Sequence, residues 1–327
     1  MGKLLCDSAT NSITEKLPQP LVTWRDPSTT IVDSVPSTSW DEVPGLEDQQ
    51  RRNLSKLYDN GILWTHPQDR SVSPVVLQLI HGGNVNSDGN CLFSALEKLT
   101  HCGGARDLRS RAVKKFEQDL GLAENVQKQR VESVIKNLYS PDLDSGWGVH
   151  IVQEIKLLAK KSDRQIIDDA ILYYANRGII REIAAETIYK ECCIAVDDGP
   201  SWAKYMSISG SPDHDEYDII TLQYTKDGLL TINENRDGRA AAFGDDIAIE
   251  CLANEFKREI YVVQAHGSDA DNCIFFLPHR PRGEITGLPL FLFMKGTGWC
   301  SAGADHYEPL IAHSSSVLSP EKVAFVL

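Results

Sequence analysis

Residues 87–96 read Ser-Asp-Gly-Asn-Cys-Leu-Phe-Ser-Ala-Leu, a polar turn containing a glycine that runs straight into an apolar, helix-capable stretch. That order places Cys91 at a helix N-terminus, where the macrodipole and unpaired backbone N–H groups stabilise a thiolate. The same N–H groups can stabilise an oxyanion, and Gly89 is the Cβ-free residue that lets a loop fold back and aim them. The implied chemistry is attack by sulfur on a carbonyl carbon. A lone cysteine is more often a small buried hydrophobe, and Cys102, Cys192, Cys193, Cys251, Cys273 and Cys300 keep that reading. Cys192 and Cys193, read as neighbours on a helix, face different ways and do not suit one metal ion. His81 precedes the nucleophile turn and reads as a loop residue. The acidic run Asp213-His214-Asp215-Glu216 with Asp218 reads as a solvated loop, with no second cluster to complete an oxygen cage. Lys295-Gly296-Thr297-Gly298-Trp299 lacks phosphate-loop spacing and reads as a flexible loop.

The segment Asp88-Gly89-Asn90-Cys91-Leu92-Phe93 resembles the signature Asp-Gly-x-Cys-Leu-Phe of the ovarian-tumour (OTU) family, deubiquitinases of the papain-like cysteine protease type. The resemblance implies that Cys91 attacks the isopeptide carbonyl after the ubiquitin C-terminal Gly-Gly. It implies that the loop beginning at Asp88, with the Gly89–Asn90 backbone, helps form the oxyanion hole or supports the triad. A thiolate mechanism needs an imidazole to take and return the proton. The family carries it near the chain end, in a strand reading His-Tyr and then a polar residue, matched here by Asp305-His306-Tyr307-Glu308. His306 is therefore expected as general base and acid. Side chains two apart on a strand share a face, so Glu308 can orient the imidazole, at a position where the family more often has Asp or Asn.

A second landmark of the family, Trp-Gly-Asp followed by a helix carrying Leu-x-Ala-Leu-Ala, is similar to Phe243-Gly244-Asp245 and the residues through Ala253, with Phe243 in place of Trp. The pair Trp202 and Tyr205 and the strand Arg258–Val263 also fit. The resemblance runs from about Gly83 to Ala312. The interval from Cys91 to His306 is longer than in many members, and its excess lies in a helical block and around Asp213–Arg239, where it would reshape ubiquitin recognition.

The elements that must position these residues follow from periodicity. Leu46, Leu54 and Leu57 suggest a short surface helix ending at Gly61. Leu108, Ala112, Phe116 and Leu120, then Val131, Ile135 and Leu138, recur at helical steps, and Pro141 ends the run. Ser162–Gln165 matches a capping box before a helix that Gly178 closes, and a further helix runs through Ile183, Thr187 and Ile188. Ile219–Tyr224 and Leu229–Ile232 flank a hairpin turn at Lys226-Asp227-Gly228. A helix over about 245–256 and strands at Ile260–Val263, Ile274–Leu277 and Leu288–Met294 complete the reading. Helices first and strands later give an α+β class, with a mixed sheet flanked by helices and an enlarged helical lobe. The resemblance refines this to a papain-like OTU fold. The expected organisation is a disordered arm over 1–42, a helical or linker lead-in over 43–82, a catalytic domain over 83–315 and a tail over 316–327. Within the domain, the helical block spans about 105–195 and the sheet-rich part about 200–312.

A net charge of −13 spread along 327 residues argues against a phosphate-backbone partner. Eight cysteines at irregular intervals, with no C-x-x-C pair, argue against a disulfide framework and a tetrahedral zinc site, and point to a reducing compartment. No apolar run approaches the ~20 residues of a membrane span. Met1-Gly2-Lys3-Leu4-Leu5-Cys6 has two readings: an ordinary disordered start, or a membrane tether through a myristoylated Gly2 and a second acyl chain on Cys6. Position 6 departs from the Ser or Thr that myristoylation prefers. With its Met-Gly start, the chain resembles a group of plant OTU-domain proteins, which implies the cytosol or a cytosolic membrane face. The expected function is a thiol-dependent deubiquitinase acting on ubiquitin or polyubiquitin chains through a Cys91 thioester, without metal or organic cofactor. The competing expectation is a catalytically weak OTU-fold scaffold that binds ubiquitin, and a general peptidase is a third, weaker reading.

Overall fold

The computed structural model describes residues 62–69, 75–140, 153–266, 273–295 and 306–314. The expected arm over 1–42, the short helix before Gly61, the tether at Gly2 and Cys6, the glycine-rich residues 296–299 and the tail over 316–327 lie outside the described residues. In chain order the first elements are β1 (Ile62–Thr65), β2 (Val76–His81), α1 (Cys91–Thr100), α2 (Ala105–Leu122), α3 (Asn125–Tyr139) and β3 (Gln153–Lys160). Then come α4 (Arg164–Ala175), α5 (Arg181–Cys192), β4 (Ile194–Ala195), α6 (Gly199–Ser207), β5 (Tyr217–Thr225) and β6 (Gly228–Glu234). The last are α7 (Asp246–Phe256), β7 (Ile260–His266), β8 (Cys273–His279), β9 (Leu290–Lys295) and β10 (His306–Ser314).

The fold is α+β, built on a six-stranded mixed sheet in the order β1-β2-β10-β9-β7-β8. Only β7 and β9 pair in parallel within it. Adjacent residues of these strands serve opposite faces, as the pleat requires. Val262, Leu292 and Tyr307 join a core with Leu92 and Phe93 of α1, Trp202 of α6 and Leu252 of α7. Tyr261, Phe291, Phe293 and Leu310 join a second core with Leu77, Leu79 and Trp64. Trp64 is 2 % exposed, with its ring edge-on to Tyr261 and Phe291 at centroid distances of 5.1 and 4.9 Å. These contacts make β1 and β2 part of the main sheet, where the sequence suggests a helical or linker lead-in over 43–82. β1 is only four residues long, too short to show a period.

A four-stranded antiparallel sheet, β4-β3-β5-β6, packs against α4 and α5 through Leu157, Ile167, Ile171, Tyr189 and Leu222. β3 interrupts the expected helical block over 105–195. Its sequence, Gln-Glu-Ile-Lys-Leu-Leu-Ala-Lys, is mostly helix-forming, and its extended state is imposed by pairing with β5 from Gln153↔Tyr224 to Lys160↔Tyr217. The helices at 105–139 split at Glu124, which caps α3 in a reciprocal box with Gln127. The box expected at Ser162–Gln165 does not form. Lys161–Asp163 make a 3₁₀ turn, and Ser162 Oγ instead donates to Asp163 Oδ1 at 2.7 Å. Cys193 is extended just past the end of α5 and does not share the helix with Cys192. Asp218 belongs to β5, not to a solvated loop: it is buried, and its Oδ2 lies 3.6 Å from Arg164 Nε. The hairpin at Lys226–Asp227 forms, with Gly228 at φ +119°.

Candidate active site

The turn ahead of α1 is locked from three sides. Gly89 has φ +79°, and a Cβ there would stand 2.8 Å from the Ala241 carbonyl oxygen, so backbone conformation and space both require glycine. Asp88 is exposed and accepts the Asn90 N–H on Oδ1 at 3.0 Å. Asn90 Nδ2 donates to the Ser209 carbonyl at 3.0 Å, and its Oδ1 accepts from Arg109 Nε and Nη2 at 3.0 and 2.8 Å. Arg109, on α2, also donates to the Gly89 and Met206 carbonyls, each at 3.0 Å, and lies 4.3 Å over the Phe93 ring. Its side chain is 1 % exposed. Burial pulls its pKa down to about 10, against the favourable charges of Tyr205, Asp215, Cys91 and Asp88, so a fixed cation stands behind the turn at neutral pH.

No side-chain cap closes the N-terminus of α1. Its first-turn N–H groups carry the positive end of the helix dipole beside the thiol. Cys91 itself is 1 % exposed. The turn into α7 packs against α1 and is itself fixed by Asp245. Asp245 Oδ1 caps α7 by accepting Ala248 N–H at 2.8 Å, and Oδ2 accepts Trp202 Nε1 at 2.8 Å and Tyr139 OH at 2.5 Å. Gly244 lets this cap approach Leu92, because a Cβ there would fall 2.3 Å from Leu92 Cδ2.

His306 opens β10 and hydrogen-bonds to Cys91. Its Nδ1 lies 3.4 Å from Ser87 Oγ, and its Nε2 lies 3.5 Å from Oε1 of the fully buried Glu308. That separation is long for a hydrogen bond but within ion-pair reach, and such contacts often tighten only around substrate. The imidazole pKa is lifted to about 9, first by the hydrogen bond to Cys91 and then by Glu308, against half-burial that lowers it. Of the residues expected from sequence, Cys91, His306 and Glu308 are brought together. Asp88 directs its carboxylate onto its own turn.

Three further contributors escaped sequence reading. Arg109 gives no signal beyond its place beside Leu108 on an apolar helix face. Ser87 belongs to the turn already singled out. His81 is a residue of β2, not of a loop: it is buried, and its Nε2 lies 2.5 Å from Glu308 Oε2. The alternation Leu77, Leu79, His81 along an apolar run was its available signal. An open polar hollow of about 300 Å³ lies beside the turn, lined by Asp88, Asn90, Ser94, Arg106, Gly210 and Arg239. Among the described residues, no helix is long and apolar enough to cross a membrane.

Compared with protein-family models, with curated proteins and with solved structures, the chain matches none.

Proposed function

We propose that the chain is a thiol-dependent deubiquitinase with a papain-like OTU fold. The observation that carries this reading is a cysteine at an uncapped helix N-terminus, hydrogen-bonded to a histidine that a buried carboxylate backs. In the proposed reaction, the Cys91 thiolate attacks the carbonyl carbon of the isopeptide bond after the ubiquitin C-terminal glycine. The oxyanion forms against the first-turn N–H groups of α1 and the turn that Arg109 holds. The His306 imidazolium gives its proton to the leaving lysine amine, and the tetrahedral intermediate collapses to a thioester. His306, now neutral, takes a proton from water, hydroxide attacks the thioester, and the thiolate and the free ubiquitin carboxylate are released. The near-complete burial of Cys91 favours a thin, extended tail such as Gly-Gly over a bulky peptide.

The test is incubation of wild type and Cys91→Ala with a ubiquitin C-terminal electrophile and with a panel of diubiquitins. The expected result is a covalent adduct lost in Cys91→Ala and cleavage of at least one linkage. The same burial favours a second reading, a ubiquitin-binding scaffold whose thiol is closed until a partner docks. Ubiquitin binding with neither adduct nor cleavage in folded wild type would select it.

A further inference from the structure

Glu308 and His81 meet because of sheet register. His81 pairs with Leu310 across β2 and β10, so Glu308, two residues along β10, is its diagonal neighbour on the same face. The Glu308 carboxylate is fully buried, with Oε2 2.5 Å from His81 Nε2 and Oε1 3.5 Å from His306 Nε2. The two histidines thus approach the two oxygens of one carboxylate.

We propose that His81 is a positioning residue for the base: its Nε2–H donates to Glu308 Oε2 and fixes the carboxylate whose other oxygen orients His306. This inference rests on the thiol-hydrolase reading. Two physical effects support it. A charge-assisted hydrogen bond in a water-excluded place holds the carboxylate in one rotamer. Without that donor, a carboxylate this deeply buried shifts toward its neutral acid and no longer favours an imidazolium. The groups that face it are His81 from β2, His306 from β10 and, beyond His306, Cys91 from α1. On β9, the residue paired with Glu308 is the uncharged Phe293, and Lys295 is the register partner of His306.

The same molecule supplies a control. His66 Nε2 lies 2.8 Å from Oε2 of the buried Glu259, whose Oε1 accepts from Arg280 Nε at 3.0 Å. There the second oxygen is held by a permanent cation, so the His66 pair is a structural tie, while the His81 pair ends on a titrating base.

The experiment measures the rate of Cys91 carbamidomethylation by iodoacetamide against pH, located by peptide mass, in full-length wild type, His81→Gln, His81→Asn, His81→Leu and His66→Asn. Melting temperatures are recorded in parallel. Glutamine carries its N–H where histidine carries Nε2, and asparagine is one methylene too short to reach. Expected is a roughly 10- to 100-fold slower reaction near pH 7.5 in His81→Asn and His81→Leu, the size of one charge-assisted hydrogen bond. His81→Gln should stay close to wild type, and His66→Asn should lower the melting temperature without changing the rate. Should His81→Leu fail to fold, the Gln and Asn pair still decides. Equal rates in wild type, His81→Gln and His81→Asn overturn the proposal, as do equal losses in Gln and Asn. The readout needs no ubiquitin, so a wild type that cleaves no diubiquitin removes the deubiquitinase reading alone. Cleavage that persists unchanged in His81→Asn removes this inference alone.

Discussion

His306 sets the sign of the pH dependence expected at this site. Its pKa rises from the ordinary 6.5 to about 9, so the imidazolium persists through neutral pH and is lost as pH passes about 9. In the proposed reaction no proton is then available for the leaving amine, and kcat/KM on a ubiquitin amide substrate should fall with an alkaline limb near pH 9. The same linkage makes the contribution of His306 to folding whole below about pH 6.5 and lost as pH rises through about 9. In Glu308→Gln the alkaline limb should move to lower pH but only part of the way, because the hydrogen bond to Cys91 is the larger cause and remains. A pH–rate profile of that variant unchanged from wild type would remove Glu308 from the site. Gly89→Ala is expected to fail more severely. The left-handed φ costs a non-glycine residue roughly 1–2 kcal/mol, and the new Cβ would strike the Ala241 carbonyl. Both a lower melting temperature and lost reaction with the ubiquitin electrophile should follow.

At the scale of elements, three helices converge on one carboxylate. Asp245 caps α7 and accepts from Trp202 of α6 and Tyr139 of α3. Asp245→Ala removes a cap and leaves two buried donors without their acceptor, a combined loss of about 3–5 kcal/mol of unfolding free energy in urea titration. Gly244→Ala acts differently. Its Cβ would press on Leu92, the residue after Cys91, so displacement of Cys91 should accompany an overpacking cost of about 1–3 kcal/mol. The measurement is kcat against stability: activity should fall by more than the folded fraction does. A loss of activity no greater than the unfolded fraction would mean that α1 moves as a rigid body without disturbing the thiol.

At the scale of the whole molecule, the first two strands determine whether the site exists. β2 lies between β1 and the β10 strand that carries His306 and Glu308, and Trp64 anchors β1 in the second core. A chain that starts at residue 83, where the motif resemblance begins, would expose one long edge of β10 and empty the pocket of Trp64. It should not fold to a unique state, as near-ultraviolet circular dichroism would report. Trp64→Ala in the full chain should cost about 3–5 kcal/mol in urea titration, the usual range for a buried tryptophan. A stable, cooperative fold in the chain from 83 would show that β10 needs no partner on that side.

The local part of the design was legible along the chain. The turn-to-helix boundary at Cys91, the glycine at 89, the α5 and α7 helices, the β5–β6 hairpin and the strand containing Ile260–Val263 all rest on short-range effects: capping, left-handed φ and side-chain period. The same period of two placed His306 and Glu308 on one face. Tertiary structure alone decided the remainder. β3 is extended because β5 pairs with it, against its own helix-forming composition, and β1 is a strand because Trp64 finds Tyr261 and Phe291, some 200 residues away in sequence. His81 and Arg109 reach Glu308 and Asn90 across 227 and 19 residues. Burial of a charged or titratable group depends on what the rest of the chain brings around it, and no local pattern encodes that surrounding.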